Sequence, residues 1–243
     1  MIEIGIAGIS GRIGQRLVEL INKDENAVVC CGLVSKNSQF KSTTIALSSV
    51  CKKADIWIDF STPAAFDKVL HHCQQHATPL VSGTTGLSET QFKALTKAAE
   101  YAPILWASNF SLSINLIQQM LLKYTKLCKT QAKITETHHI HKKDKPSGTA
   151  ISLAKSINQN GEIKKINNTN FQLNDIAIKS IREGEVAGIH QIDLDNPAEQ
   201  ICIHHRAKTP EIFAQGAIDV SKWLIKQNKG LYTMQNYIES INA

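Results

Sequence analysis

Short apolar runs alternate with helix-like segments along the first part of the chain. The runs IEIGIAG, AVVCCGLV, IWID, TPLVS and APILW have the length and the apolar character of strands buried on both faces. The segments between them place apolar residues on one side of a helix, as Phe66, Val69, Leu70 and Cys73 do. This alternation predicts a parallel sheet with helices on both faces.

The starts of several helices are marked by capping residues. Thr62 followed by Pro63 is typical of a cap and a first helical residue, and Ser88 with Gln91 fits a capping box. A further helix is predicted in GRIGQRLVELINKD, where Ile13, Leu17, Leu20 and Ile21 share one face.

The pattern changes after about Phe110. A long helical segment, SINLIQQMLLKYTKL, leads into AKITETHHIH, which alternates like a strand with one open face. Ser147 begins another helix, the Asn-rich stretch NQNGEIKKINNTN follows, and DIAIKSIREG, AGIHQIDLD and EQICIHHRA are again strand-like. The final helix face, Phe213, Ala217, Val220 and Leu224, is expected to return to the first domain.

These patterns predict an α/β protein with two domains. The first is a Rossmann-like parallel-sheet domain of residues 1–109, completed by residues 210–243. The second, residues 110–209, is an α+β domain with a mixed sheet, to which we assign substrate binding and oligomerisation. The length of 243 residues is enough for one or two such cores.

The composition and charge of the chain indicate which kinds of binding partner to expect. No apolar run approaches the roughly 20 residues of a membrane helix, and the start, MIEIGIAGIS, has no basic leader, so we expect a cytoplasmic protein and no membrane partner. The six cysteines form no C-x-x-C pair, which favours free thiols in a reducing compartment. The net charge of +6 is spread along the chain, so a small anion explains it as well as nucleic acid does, and we expect no nucleic-acid partner.

A glycine-rich turn follows the first strand. Gly8, Gly11 and Gly14 form G-x-x-G-x-x-G, which permits a tight turn and close approach of a pyrophosphate to a helix N-terminus. The alternative is a strand–helix turn without a ligand. The turns SGTTG, residues 82–86, and ASNFS, residues 107–111, also follow strands and are expected in the same crevice, unless each is an ordinary polar loop.

The stretch ETHHIHKKDKPSGTA, residues 136–150, carries the densest chemistry. Its histidines, with His204 and His205, allow a metal site in which His139 and His141 form a His-x-His pair. Three lysines beside them oppose a metal, and a solvated basic hairpin is a second possibility. A third is an anion cradle, in which Ser147 caps a helix and Gly148 and Thr149 hold a carboxylate.

A histidine beside such a cradle can deliver a proton at neutral pH. A nicotinamide at one end and a proton donor with an anion site at the other favour reduction of a carboxylated C=N or C=C substrate. A second candidate is another nicotinamide-dependent reductase of a small carboxylated imine. A dinucleotide-binding regulator without chemistry is a third, although a regulator has no need of a proton donor.

Taken together, these residues resemble the dihydrodipicolinate reductase family over nearly the whole chain. The signature E-x-H-H-x-x-K-x-D-x-P-S-G-T-A is present as Glu136, His138, His139, Lys142, Asp144, Pro146, Ser147, Gly148, Thr149 and Ala150. The supporting motifs are GxxGRxG at residues 8–14, IDFS at 58–61, GTTG at 83–86 and SNFS at 108–111.

The resemblance implies reduction of 4-hydroxy-tetrahydrodipicolinate to tetrahydrodipicolinate with NADPH or NADH, in the diaminopimelate route to lysine, by a homotetramer. It implies that His138 donates the proton, that Lys142 assists, and that His139, Gly148 and Thr149 bind the dicarboxylate, with Ser147 beside them. No metal is expected. The residues expected to hold the dinucleotide are Gly8, Ile9, Ser10, Gly11, Arg12, Ile13, Gly83, Thr84, Thr85, Ala107, Ser108, Asn109 and Phe110.

The sequence departs from the family pattern at several positions. Ser35 and Lys36 replace the acidic and basic pair at the end of the second strand. Because no acid is present there to repel a phosphate, Lys36 with Arg12 favours NADPH. Ser113 replaces a glycine, Pro210 takes the place of an arginine, and the segment before IREGEVAG is short.

Overall fold

The computed structural model describes residues 1–34, 46–47 and 54–241. Lys36, assigned to cofactor binding, lies outside these residues, as does Cys51. The chain divides into two compact units, residues 1–110 with 211–243 and residues 111–210. None of the helices in the described part has both the length and the hydropathy needed to cross a bilayer.

The first unit begins with alternating strands and helices. Its strands are β1 Ile2–Ala7, β2 Ala27–Leu33, β3 Ala46–Leu47, β4 Ile56–Asp59, β5 Leu80–Ser82 and β6 Pro103–Trp106. Its helices here are α1 Arg12–Ile21, α2 Pro63–His76 and α3 Glu89–Ala98. The stripe Phe66, Val69, Leu70 and Cys73 of α2 is buried as predicted, and Ser88 forms the predicted capping box with Gln91.

The second unit holds a mixed sheet and two helices. In chain order its elements are α4 Leu112–Leu127, β7 Gln131–His138, α5 Gly148–Ile157, β8 Ile163–Lys165, β9 Asn170–Leu173, β10 Ile176–Arg182, β11 Gly188–Asp195 and β12 Gln200–Ala207. The strand order is β12-β11-β7-β10-β9-β8, with β7 and β10 parallel and the other pairs antiparallel. One face of this sheet packs on α4 and α5 around Leu121, Ile134 and Leu153.

The chain then returns to the first unit with α6 Glu211–Leu224, β13 Gly230–Tyr232 and α7 Met234–Ile241. Within the described residues the first sheet is parallel, in the order β13-β6-β5-β4-β1-β2-β3. One core cluster joins its strands to α1 and α6, and another joins them to α2 and α3. Helices therefore cover both faces, which confirms the predicted class.

Several elements differ from the sequence prediction. β3, β8, β9, β13 and α7 were not predicted; β8 lies in the Asn-rich stretch that was interpreted as polar sequence, and β9 begins at its last residue. The strand expected through HHIH ends at His138, because the backbone of the next residue, His139, donates to the carbonyl of Val186 in the loop after β10. The prediction that the strand AKITETHHIH continues through His139 and His141 was therefore wrong.

Candidate active site

The glycine turn of the first unit is closely packed. Gly8 has φ +77°, which favours glycine, and a side chain there would meet the carbonyl of Phe60. A Cβ on Gly14 would meet the backbone of Gly8 and Ile9. No side chain caps α1 at Gly11, and no acid stands in its first turn, so its N-terminus suits an anion.

A cavity of about 450 Å³ opens beside this turn. Its walls come from the turn after β1, the end of β2 and the start of α2, all in the first unit. The lining residues are Gly8, Ser10, Gly11, Leu33, Val34, Phe60, Ser61, Thr62, Ala64, Ala65 and Lys68. The volume is in the range of small-molecule pockets, and the close-packed glycines fit a dinucleotide phosphate. Lys68 was not predicted, because nothing in its local sequence distinguishes it from other surface lysines.

A buried carboxylate fixes the next turn. Asp59, fully buried at the end of β4, accepts from Ser82 Oγ at 2.8 Å and Thr84 Oγ1 at 2.7 Å, and also from Ser61 Oγ and N–H. Burial raises the pKa of Asp59, although these hydrogen bonds oppose the shift. The Thr84 carbonyl also accepts from Trp106 Nε1 at 2.9 Å. The GTTG turn is thus tied to two neighbouring strands.

The remaining residues assigned to the dinucleotide lie at the same edge of the sheet. Gly83 and Thr85 stand after β5, with Thr85 exposed, and Ala107 to Phe110 follow β6. The side chains of Ile9 and Phe110 are buried in the core, and Ile13 packs partly against it. Any contact of these residues with a ligand would therefore come from their backbone. Arg12 is exposed at the start of α1.

In the second unit, the signature residues lie at the end of a row of polar side chains inside the sheet. Cross-strand pairing places His205, His190, Glu136 and Ser180 side by side across β12, β11, β7 and β10. His138 follows two residues after Glu136 on the same face and pairs in register with Arg182. The sheet register, set by residues far apart in sequence, therefore assembles this cluster.

Glu136 is fully buried and forms charged contacts with two residues. Its Oε1 accepts from both terminal nitrogens of Arg182, each at 3.0 Å, and from the backbone N–H of Ser147 at 3.2 Å. Its Oε2 contacts His138 Nδ1. Burial alone would raise its pKa, but His138, Ser180 and Arg182 outweigh it and lower the pKa of Glu136 to about 2.

The residues assigned to proton transfer lie beside this carboxylate. The His138 side chain is buried. Lys142 is only 24% exposed, and its Nζ lies 2.8 Å from Asp144 Oδ2. Its backbone carbonyl accepts from Arg182 Nε at 3.2 Å, which joins the turn after β7 to β10. His139 is buried as well, next to this turn.

The helix predicted to begin at Ser147 is α5. Ser147 caps the helix, with its Oγ accepting from the Ala150 N–H at 3.2 Å. Gly148 and Thr149 occupy the first helical turn, and no acid stands there. The cap residue is in turn held by Glu136. The structure thus brings Glu136, His138 and Ser147 into one cluster, in which Glu136 Oε1 accepts from the Ser147 N–H and Oε2 contacts His138 Nδ1.

The histidines of the metal hypothesis are arranged differently. The rings of His139 and His141 are 6.0 Å apart, and exposed His141 lies 3.4 Å from Glu185. Among residues 1–34 and 54–241, the potential metal ligands that converge are Glu136, His138 and His190, with ligand atoms within 4.8 Å of one another. Because Arg182 already neutralises Glu136, a divalent cation there would face an adjacent guanidinium.

Glu136, Arg182 and His190 were not assigned roles from the sequence. His190 packs edge-on against His138 at 5.2 Å between ring centroids, with its Nε2 3.5 Å from Ser147 Oγ. Burial, followed by the charge of His138, lowers the pKa of His190 to about 3, so this ring is neutral. The two-residue spacing of Glu136 and His138, which places both on one face of a strand, could have indicated that they are neighbours. The pairing of Glu136 with Arg182 could not be predicted, because it depends on the register of β10.

Family models match both parts of the chain. The model of dihydrodipicolinate reductase, N-terminus, matches residues 2–110, and that of dihydrodipicolinate reductase, C-terminus, matches residues 113–238. The chain belongs to the dihydrodipicolinate reductase family. This membership confirms the resemblance and the predicted class of enzyme, an NAD(P)H-dependent oxidoreductase of the diaminopimelate route.

Curated relatives support the same family. The 4-hydroxy-tetrahydrodipicolinate reductase of Rickettsia rickettsii (strain Sheila Smith) is 36% identical over 240 residues, covering 97% of this chain and 98% of that protein. That of Wolinella succinogenes is 36% identical over 248 residues, covering 96% and 97%. A dipicolinate-bound dihydrodipicolinate reductase from Paenisporosarcina sp. TG-14 has the same fold, with TM-score 0.77, 23% identity and coverage of 96% and 97%.

Proposed function

We propose that the protein reduces 4-hydroxy-tetrahydrodipicolinate to tetrahydrodipicolinate, with His138 as the proton donor and the start of α5 as a carboxylate cradle. The observation that carries this assignment is the cluster in which Glu136 contacts His138 and accepts a hydrogen bond from the Ser147 N–H. A dianionic substrate needs fixed donors and positive charge, and the helix start supplies the donors. The Rickettsia and Wolinella relatives carry the name of this activity.

The roles of the side chains follow from their positions. Removing the 4-hydroxyl as water with net reduction consumes one hydride and one proton; the bound nicotinamide supplies the hydride. His138 supplies the proton from Nε2, because Nδ1 is held by Glu136. We expect Lys142 to exchange Asp144 for a substrate carboxylate, while Gly148 and Thr149 hold a carboxylate at the helix start and His139 lies beside it.

Comparison of two histidine variants tests this assignment. His138→Gln should lower kcat by about 10²–10⁴-fold, the range of acid–base residues, with little change in NADPH affinity. His141→Gln is the matched control, since His141 is 70% exposed and three residues away. Oxidation of NADPH with freshly prepared substrate gives kcat, and a near-normal kcat in folded His138→Gln would refute the role.

The same assay distinguishes the second candidate function. A reductase of another small carboxylated imine would leave NADPH unoxidised with this substrate but would oxidise it with other cyclic imino acids. Pyridine-2,6-dicarboxylate, a planar dianion, should compete with the substrate. Its binding should weaken in Lys142→Ala and Thr149→Ala, because each charge-assisted hydrogen bond contributes roughly 1.5–3 kcal/mol.

We further propose that NADPH is used at least as well as NADH. Lys68 lines the cavity next to Leu33 and Val34 at the end of β2, the region that reads the ribose in Rossmann-like domains. Lys68 gives this region a cation, which favours a 2′-phosphate; Lys36, predicted for the same role, lies outside the described residues. Lys68→Ala should lower kcat/KM for NADPH several-fold at low salt and leave NADH unaffected, whereas exposed Lys97→Ala on α3 should change neither. A clear NADH preference in the wild type would contradict this proposal.

We also infer that the protein is a homotetramer of the cytoplasm. Along β7 the alternating residues Gln131 and Lys133 are exposed while Ala132 and Ile134 are buried, so one face of the mixed sheet is left open for other subunits. Cys73, Cys128 and Cys202 are free thiols, as a reducing compartment favours. Light scattering that shows a monomer at micromolar concentration would contradict the tetramer.

A further inference from the structure

Glu136 is a charged side chain in the interior of the second unit. It is fully buried on β7, between β11 and β10, on the sheet face that packs against the helices. Its carboxylate is 0% exposed in a region where an isolated charge would be strongly unfavourable. Such a group persists in a fold only when partners offset its desolvation, so the arrangement of those partners indicates its role.

The two carboxylate oxygens have different partners. Oε1 accepts the two Arg182 hydrogen bonds and the N–H of Ser147, the residue that caps α5. Oε2 contacts Nδ1 of His138. One carboxylate therefore links the proposed proton donor to the first residue of the proposed cradle, and the buried Arg182 holds that carboxylate in place.

This arrangement fixes which nitrogen of His138 exchanges protons. An ionised carboxylate only accepts hydrogen bonds, so Nδ1 keeps its hydrogen and Nε2 is the atom that gains or loses a proton. Gly188 leaves space at that atom, since a Cβ at position 188 would lie 3.2 Å from His138 Nε2. A side chain on residue 188 would narrow the approach to this nitrogen.

We propose that Glu136, held by Arg182, is the positioning residue that sets the tautomer of His138 and its alignment with the α5 cradle. This proposal rests on the proposed function of His138 as proton donor. Glu136 touches neither substrate nor cofactor in this assignment and acts through His138 and Ser147. Its effect should therefore appear in proton transfer and in dicarboxylate binding, and leave dinucleotide binding unchanged.

The charged and titratable groups around His138 come from every neighbouring element. They are Glu136 on β7, Lys142 and Asp144 in the following turn, Arg182 on β10, His190 on β11 and His205 on β12. Glu136 is the carboxylate in contact with the ring. Replacing it with glutamine keeps the size of the side chain but removes the negative charge in contact with Nδ1.

Two substitutions and a control test the proposal. Glu136→Gln should lower kcat on the order of 10²-fold and weaken pyridine-2,6-dicarboxylate binding, with an unchanged NADPH dissociation constant. Glu136→Asp keeps the negative charge, so its kcat and its affinity for pyridine-2,6-dicarboxylate should lie between those of Glu136→Gln and the wild type. Glu185→Gln is the matched control, since its 79% exposed carboxylate lies near His141 and should affect none of them.

A measurement on the wild type covers the case in which Glu136→Gln does not fold. Two-dimensional ¹H–¹⁵N spectra of histidine-labelled protein, with His138 identified by its loss in His138→Gln, report the tautomer directly. In spectra recorded where the ring is neutral, the Nδ1-protonated tautomer of His138 is expected, and the Nε2-protonated tautomer would overturn the proposal. So would a folded Glu136→Gln variant with wild-type kcat and dicarboxylate affinity. The tautomer of His138 and the binding of pyridine-2,6-dicarboxylate are both measured without turnover. If the proposed reaction fails, these two measurements therefore still test the role of Glu136.

Discussion

Each unit buries a carboxylate at or near the end of a parallel strand, but the two carboxyl groups have opposite pKa shifts. Asp59 at the end of β4 is surrounded by hydroxyl groups and an N–H, and burial raises its pKa. Glu136 near the end of β7 is equally inaccessible, yet Arg182 and His138 help to lower its pKa to about 2. The neutral hydrogen-bond donors around Asp59 fix the turn but do not offset the desolvation of its carboxylate. The charged partners of Glu136 keep that buried carboxylate ionised.

The difference corresponds to the two proposed tasks. The Asp59 cluster holds the shape of the GTTG turn, where a dinucleotide is expected, and needs no permanent charge. The Glu136 cluster is expected to hold a histidine that gains and loses a proton, which requires a partner that stays ionised at neutral pH. The three predictions below test this difference, beginning with the largest expected effect.

Removing the Arg182 cation from the Glu136 cluster should have the largest effect on the free energy of unfolding. Arg182→Met leaves Glu136 buried beside His138 without its guanidinium, which should cost about 3–5 kcal/mol. Hydrogen exchange of β7 and β10 peptides measures the loss. Arg16→Met, which breaks the exposed pair with Glu19, is the control and should cost less than about 1 kcal/mol. Equal losses in both variants would show that burial does not distinguish these ion pairs.

The next effect is the acid dependence of the second unit. Because the pKa of Glu136 is lowered from 4.5 to about 2, its stabilisation is complete above pH 4.5 and is lost as pH falls toward 2. The full loss corresponds to roughly 3 kcal/mol. Hydrogen exchange of β7 at pH 5 and pH 3 should show a steep loss in the wild type and a smaller one in Glu136→Gln. A parallel pH dependence of the two proteins would contradict the assignment.

The smallest effect is expected for Asp59, with the opposite sign. Because its folded pKa is raised above 3.8, the folded state binds the extra proton and stability falls as pH rises through that range. Asp59→Asn should cost about 1–2 kcal/mol near pH 4 through altered hydrogen bonds, and the cost should shrink as pH rises.

Tryptophan fluorescence can follow this effect in the first unit alone, because Trp57, Trp106 and Trp223 all belong to that unit. Asp59→Asn should also raise the KM for NADPH several-fold with little change in kcat, since the GTTG turn loses part of its anchor. Asp67→Asn, an exposed carboxylate on α2, is the control. A cost that grows with pH would mean that Asp59 is ionised and stabilising.

Local sequence patterns predicted the fold of the first unit well. They predicted the Glu136 cluster of the second unit only in part. The buried stripe of α2 and the capping box at Ser88 depend on residues a few positions apart, so periodicity and cap chemistry are sufficient to predict them. β8 and β9 were missed because they are only three and four residues long and include residues of low strand propensity, such as Asn170. They form by pairing, β9 with β10 and β8 with β9.

Long-range pairing limits what the sequence reveals about the site. The family signature places His138, Lys142 and Ser147 together, whereas the contact between Glu136 and Arg182 joins residues 46 positions apart. It exists because β10 lies parallel to β7 in one particular register, with Ser180 opposite Glu136. A shift of one residue in that register would turn the Arg182 side chain to the other face.

The chain order of the units has a consequence for synthesis on the ribosome. Residues 111–210 interrupt the first unit, and α6 supplies Ala214, Ala217, Ile218, Val220 and Leu224 to one of its cores. The nascent first unit therefore lacks one wall of its interior until the last part of the chain emerges, while the second unit is already whole. Arrested nascent chains should show protease protection of residues 111–210 before residues 1–110. The unit that carries the proposed proton donor should thus fold before the unit in which a dinucleotide is expected.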